Sequence, residues 1–316
     1  MIRCEHLTRY YGGFQAVIDL NLEVPRGSIC AMVGPNGAGK STTMRMLSTL
    51  LAPTRGRATV GGFDVVTRRD QVRQLIGYLP ETFSFYEDMP VERYLSFFAM
   101  AYGVDAPIAR PRIADFLERL GLEHKRDEKI GTLSRGMRQR LGVAKSFLHD
   151  PQVVFLDEPA SGLDPVARAE LRDFLRYQQH LGKTILVSSH VLKELADFCD
   201  YIMMVQDGRL REFGRLTGTD GVLARYSGRE QGGVRYSIRV LKDAPRLELF
   251  LAEQDGVSGI VRRSDTLDFE IGSGEELAAA LLSRIAAAGF QVVRFAPEEL
   301  DLEGVYRRAV GASSDE

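Results

Sequence analysis

Apolar residues along this chain follow three patterns, and each predicts a different element. Ser28–Val33, Val153–Leu156 and Thr184–Val187 are apolar runs with almost no polar interruption. Runs of that length and composition read as strands covered on both faces, as in a parallel sheet. Ile18, Leu20, Leu22 and Val24 alternate with polar residues, which predicts a half-buried strand. Between residues 90 and 148 the period changes to that of a helix. Ile113, Phe116, Leu117 and Leu120 make one apolar stripe, and Met137, Leu141, Ala144 and Leu148 make another. A helical insert, about residues 85–150, therefore interrupts an α/β pattern.

Gly214, Gly218 and Gly221, continued by Gly228, Gly232 and Gly233, mark a loop-like stretch. The chain is thus expected to divide into domains 1–220 and 221–316. In the second, Val234–Val240 reads as a strand, Arg246–Glu253 as a helix, and Ile260–Arg263 and Leu267–Ile271 as strands. Glu275–Ala288 reads as a helix with Leu277, Leu281 and Ile285 on one face, and Gln291–Phe295 as a last strand. The order βαββαβ suggests a small ferredoxin-like α+β domain. Leu302, Val305, Tyr306 and Ala309 predict a short terminal helix, and the tail 311–316 reads as disordered.

Composition narrows the classes. At 316 residues, 44% hydrophobic and 27% charged, the chain has the make-up of an ordinary two-domain soluble protein. No run approaches the ~18 apolar residues that a membrane helix needs. The first residues, Met1-Ile2-Arg3-Cys4-Glu5, lack the apolar core of a signal peptide. The 3 cysteines, Cys4, Cys30 and Cys199, are odd in number and unclustered, which suits reduced cytosolic thiols and not a disulfide or zinc framework. A net charge of −2 gives no basic footprint for nucleic acid.

Candidate chemistry starts at Gly34-Pro35-Asn36-Gly37-Ala38-Gly39-Lys40-Ser41, which fits the phosphate-loop pattern G-x-x-x-x-G-K-[ST] without mismatch. A strand precedes it, and a helix beginning with Thr42 and Thr43 follows. Backbone N–H groups would cradle phosphate oxygens, Lys40 would reach the β- and γ-phosphates, and the Ser41 hydroxyl would ligate Mg²⁺. The strand Val153–Leu156 ends in Asp157-Glu158. Asp157 suits a hard oxygen-preferring cation, and Glu158 suits a general base acting on water. A carboxylate pair here favours hydrolysis over transfer to an acceptor.

Leu133-Ser134-Arg135-Gly136-Met137 opens a helix between these two motifs, with Ser134 as the expected N-cap. In that order the chain resembles the ATP-binding cassette (ABC) ATPases over residues 1–220. The resemblance implies a P-loop NTPase fold with an antiparallel β subdomain and a helical insert. It also implies roles for further residues: Tyr11, with Tyr10 as an alternative, stacking on adenine; Asp164, in Ser161-Gly162-Leu163-Asp164, crossing to a partner subunit; and His190 at the γ-phosphate. Ser134, Arg135, Gly136 and Met137 would face the ATP of the opposite subunit.

Three positions depart from the usual pattern. Arg135 and Met137 stand where the family has glycine and glutamine, and Glu81 stands where it has glutamine. Glu81 is expected to sense Mg²⁺. Glu81, the intact cassette and the C-terminal extension together resemble the ABC-2, drug-efflux-like exporter branch. That resemblance implies ATP and Mg²⁺ as cofactors and a head-to-tail homodimer of nucleotide-binding subunits. It further implies a separate integral-membrane permease and a peripheral position on the cytoplasmic face of the membrane. Phe83, Phe85 and Tyr86 would either border the permease groove or pack inside the insert. A soluble ABC ATPase acting on ribosomes or nucleic acid is the alternative, and a non-catalytic cassette is disfavoured by intact Lys40, Asp157, Glu158 and His190.

Overall fold

The unbroken apolar runs form the centre of a parallel sheet. In the computed structural model, which describes residues 1–190, 198–218, 221–223, 233–272 and 275–297, strands β3 (Ile29–Val33), β7 (Val153–Asp157) and β8 (Thr184–Ser189) are buried at every position. They join β6 (Ile76–Leu79), β9 (Tyr201–Gln206) and β10 (Arg209–Arg215) in the order β10-β9-β3-β8-β7-β6. All neighbours are parallel except the edge pair β10–β9. Burial on both faces explains why these strands do not alternate.

A second, antiparallel sheet has the order β2-β1-β4-β5, formed by β1 (Ile2–Tyr11), β2 (Phe14–Val24), β4 (Arg55–Val60) and β5 (Phe63–Asp64). Its inner face and β3 share one core that includes Ile2, Leu20, Val24, Met32 and Met44. β2 is longer than its alternation predicts. Ile18 falls out of phase because the β1 register shifts between Leu7↔Leu20 and Arg9↔Val17. Asp19, with φ 52, takes up the extra residue, so Val17 and Leu20 both point inward.

The helical insert comprises Val91–Ala101, Ala106–Arg119 and Arg135–Phe147. The predicted stripe Ile113, Phe116, Leu117 and Leu120 is buried. Phe83 packs on Gly142 of the third helix, and Phe85 lies 5.3 Å from the Tyr94 ring. Of Phe83, Phe85 and Tyr86, it is Tyr86, 57% exposed, that is presented outward.

The chain divides into two compact units, Met1–Leu216 and Thr217–Glu316. The second has the order β11 (Gly233–Val240), helix Ala244–Ala252, β12 (Val257–Arg263), β13 (Thr266–Gly272), helix Glu275–Ala287 and β14 (Val292–Pro297). Its sheet is antiparallel, ordered β12-β13-β11-β14, over a core of its own that includes Ile238, Leu247, Phe269 and Leu281. Leu277 does not belong to the buried stripe as the sequence predicts: it is 49% exposed, and Ala278, Leu281 and Ile285 face the sheet instead. Each step of four residues drifts by about 40° around a helix, so Leu277 falls at one edge of the face that Ala278, Leu281 and Ile285 share. The expected terminal helix 302–309 and tail 311–316 lie outside the described residues. No helix among the described residues is long and apolar enough to cross a membrane.

Candidate functional site

The loop Gly34–Ser41 leaves the end of β3 and enters the helix Lys40–Leu47. Gly39 precedes that helix at φ 99, and a Cβ there would lie 2.4 Å from the Ala16 carbonyl oxygen. Only glycine allows both the backbone angle and the approach of β2. Lys40 is 6% exposed, and its Nζ donates to the carbonyls of Gly34 at 2.6 Å and Pro35 at 3.2 Å. The ammonium is thereby held against the loop that a phosphate would occupy.

The parallel register delivers the carboxylates to the same end of the sheet. Asp157 and Ser188 are paired positions on β7 and β8. The Ser188 hydroxyl donates to Asp157 Oδ1 at 2.6 Å and accepts from the Glu158 N–H at 2.9 Å. Gln139 Nε2 donates to the Glu158 carbonyl at 3.2 Å. Glu158 takes φ 52, the left-handed region that a non-glycine residue occupies at a cost of roughly 1–2 kcal/mol. Its backbone is thus held from both sides in a strained turn. Its carboxylate lies between two partners: Lys40 Nζ is 3.8 Å from Oε1, and His190 Nδ1 is 2.9 Å from Oε2.

One cleft collects most of the predicted residues. Tyr11, Pro35, Asn36, Gly37, Ala38, Gly39, Lys40, Ser41, Thr42, Glu81, Glu158 and His190 line it, joined by Phe14 and Ser161. Tyr11 is 42% exposed, with the Arg9 guanidinium over its ring at 4.9 Å from the centroid. Tyr10 does not line the cleft and instead lies under Arg55, at 5.9 Å. Asp157 is 1% exposed and sits beneath the cleft, not on its wall.

Ser134, Arg135, Gly136, Met137 and Asp164 do not line this cleft. Ser134 caps its helix by accepting the Met137 N–H at 3.2 Å. Asp164 caps the helix Pro165–His180 by accepting the Ala167 N–H at 2.9 Å, and that bond holds its carboxyl below the usual range. Among the described residues no cluster of three or more His, Cys, Asp or Glu could hold a metal alone. The donor set near the loop is Ser41, Glu81 and Asp157, all oxygen, which suits a cation completed by phosphate oxygens and water.

Sequence reasoning missed Ser188, Gln139 and Phe14. Ser188 had a usable signal: two serines end an apolar strand immediately before His190. Phe14 pairs with Tyr11 across the β1–β2 turn. Gln139 had none, since only the folded insert brings it to Glu158.

The ABC transporter family matches residues 17–161. The chain is 34% identical over 314 residues to the uncharacterized ABC transporter ATP-binding protein YxlF of Bacillus subtilis (strain 168), covering 99% of this chain and 100% of that protein. The chain belongs to the ABC transporter ATP-binding family. A further family member is the probable multidrug ABC transporter ATP-binding protein YbhF of Escherichia coli (strain K12), 39% identical over 210 residues. That match covers 66% of this chain and 36% of YbhF, so the chain spans little more than a third of that relative. Among solved structures, an ATP-binding subunit of an ABC transporter superposes with a TM-score of 0.65 at 31% identity. It covers 73% of this chain and 93% of that one. The family's ATP-binding cassette fold is therefore the fold of the first unit.

Proposed function

We propose that the chain is the ATP-hydrolysing subunit of an ABC-2-type exporter, acting as a homodimer with a separate integral-membrane permease on the cytoplasmic face of the membrane. The observation that carries this reading is Glu158. It is fixed by Ser188 and Gln139, poised between Lys40 and His190, and set beside a complete phosphate loop. A carboxylate so placed can take a proton from water attacking a γ-phosphate. His190 orients the same carboxylate through Oε2. Lys40 and the loop N–H groups would receive the phosphate charge, and Tyr11 would stack on the base. Ser41, Glu81 and water-linked Asp157 would hold Mg²⁺, which would neutralise charge on the phosphate oxygens.

Ser134, Arg135, Gly136, Met137 and Asp164 lie outside the cleft, which supports roles toward the nucleotide of a second subunit. ATP then bridges the pair and ADP does not, so hydrolysis reopens it. The name of YbhF, a probable multidrug transporter component, supports efflux. The βαββαβ order and β12-β13-β11-β14 sheet support a ferredoxin-like accessory domain after about residue 220.

The test is Glu158→Gln with Mg²⁺-ATP, followed by light scattering and phosphate release. The expected result is a trapped dimer with no turnover. A monomer that hydrolyses ATP at the native rate would sink the assignment.

A further inference from the structure

Arg135 stands where the family usually has glycine, and its surroundings are specific. It is the first residue of the helix Arg135–Phe147. A cation in the first turn meets the positive end of the helix dipole, an unfavourable placement. Among the described residues it has no carboxylate partner, although Glu81, Glu87 and Glu158 border the same cavity. Its neighbour Arg138 by contrast pairs with Glu87 at 3.2 Å.

What Arg135 does touch is the turn between Glu158 and Asp164. Its Nη2 donates to Ser161 Oγ at 3.4 Å. The end of its side chain packs against Gly162: a Cβ on that glycine would meet Nε at 3.3 Å, Cδ at 3.5 Å and Cζ at 3.6 Å. Gly162 has φ +75, so it has two reasons to be glycine, a backbone angle and a side chain lying on it. Ser161 is also a wall residue of the nucleotide cleft.

We propose that Arg135 is a positioning residue: it braces Ser161-Gly162 against the Ser134 end of its helix, so that both partner-facing segments are presented to a second subunit as one surface. The proposal rests on the dimer reading above. The planar guanidinium is what the brace requires, since it supplies a flat face for the glycine and a fork for the hydroxyl. The positive charge at the helix start is then a consequence of that shape requirement. The turn carrying Asp164 cannot shift without breaking contact with Arg135, and the helix cap cannot shift without dragging the turn.

The experiment measures the ATP concentration that half-dimerises the Glu158→Gln protein by light scattering, with Mg²⁺ present. ADP affinity by calorimetry serves as a control on each subunit's own cleft. Adding Arg135→Gly should raise the half-dimerising ATP concentration roughly five- to tenfold, because two such braces are lost per dimer. ADP affinity should change less than about twofold, since Arg135 does not line that cleft. Arg135→Lys keeps the charge without the plane and should behave like the glycine variant. Rescue by lysine would overturn the brace in favour of direct charge contact with phosphate. A double-mutant cycle with Gly162→Ala supplies the readout that a purely structural role would not move. The alanine should cost more dimerisation with Arg135 present than with Arg135→Gly, because only then does its Cβ meet the guanidinium. Additive effects would overturn the proposal. A parent Glu158→Gln protein that never dimerises with ATP would instead remove the dimer reading itself.

Discussion

Ser188→Ala is the sharpest probe of how the site is held. The hydroxyl is fully buried, accepts the Glu158 N–H at 2.9 Å and donates to Asp157 Oδ1 at 2.6 Å. Its removal orphans two groups at once. A buried N–H without an acceptor costs about 1–3 kcal/mol, and a lost bond to a charged acceptor about 1.5–3 kcal/mol. A water in the vacated space recovers part of this, so the net loss should be about 3 kcal/mol. For a unit of this size that lowers Tm by roughly 6–12 °C. The functional effect follows from Glu158, whose left-handed backbone is no longer pinned from the N–H side. Displacing a catalytic group by about 1 Å costs on the order of 10²-fold in rate. Ser188 does not line the cleft, so the KM for ATP should stay within about threefold. Urea denaturation followed by circular dichroism reads the stability, and steady-state phosphate release reads kcat and KM. A loss under ~1 kcal/mol with native kcat would refute the claim that Ser188 holds the pair.

Other substitutions separate neighbours that look alike in sequence. Tyr11→Ala should weaken ATP binding by about 1–3 kcal/mol, the worth of one base-stacking ring, while Tyr10→Ala should change it less than twofold; titration with a fluorescent ATP analogue decides. Gly37→Ala meets no atom within 4 Å and should lose only about 1 kcal/mol to its φ of +85, whereas Gly39→Ala also meets the Ala16 carbonyl and should abolish measurable nucleotide binding in the same titration. Burial pushes the Cys4 thiol up to about 12 and raises Cys30 and Cys199 as well, so the thiolate forms are negligible near pH 8. Native protein should therefore resist alkylation counted by mass spectrometry, and all 3 cysteines should react in urea; rapid labelling of any one without urea would contradict the burial.

Much of the first unit was legible because each signal was local. A glycine-rich loop between an apolar run and a helix cannot be moved without losing its sense, and the Asp157-Glu158 pair ends a run of the right length. The misreadings share another cause. A strict period of two puts Ile18 inward, but the bulge at Asp19 is set by the pairing with β1, which the alternation within β2 does not contain. The helical period that places Leu281 and Ile285 in a buried stripe places Leu277 there too, yet it is exposed. Helical spacing cannot tell which of two adjacent apolar residues faces the sheet. Gln139 and Arg140 are polar yet buried on the insert's third helix, because the Glu158 carbonyl and the Leu120 carbonyl with the Glu170 carboxylate supply their partners. Those partners come from other elements, so no window of sequence contains them.

The residues outside the cleft differ in what they can offer a second nucleotide. Ser134 Oγ uses a lone pair to accept the Met137 N–H, which leaves its O–H proton to donate, and the helix start behind it favours an anion. It can meet a phosphate without giving up its cap. Asp164 is built the opposite way. Its carboxylate is acceptor-only, is committed to the Ala167 N–H and is held ionised by that bond, so it would repel a triphosphate brought close. Asp164 can therefore serve the partner's nucleotide only indirectly, by fixing where the Ser161–Leu163 turn ends and the next helix begins. The two caps thus predict opposite results from isosteric change. Asp164→Asn keeps an oxygen acceptor and removes the repulsion, so ATP-driven dimerisation of the Glu158→Gln protein should be retained. Ser134→Ala removes both cap and donor and should weaken it at least tenfold, by the loss of one charge-assisted bond per site. If Asp164→Asn instead abolished dimerisation while the fold held by circular dichroism, its charge would have to act directly on the partner, and the indirect role would be wrong.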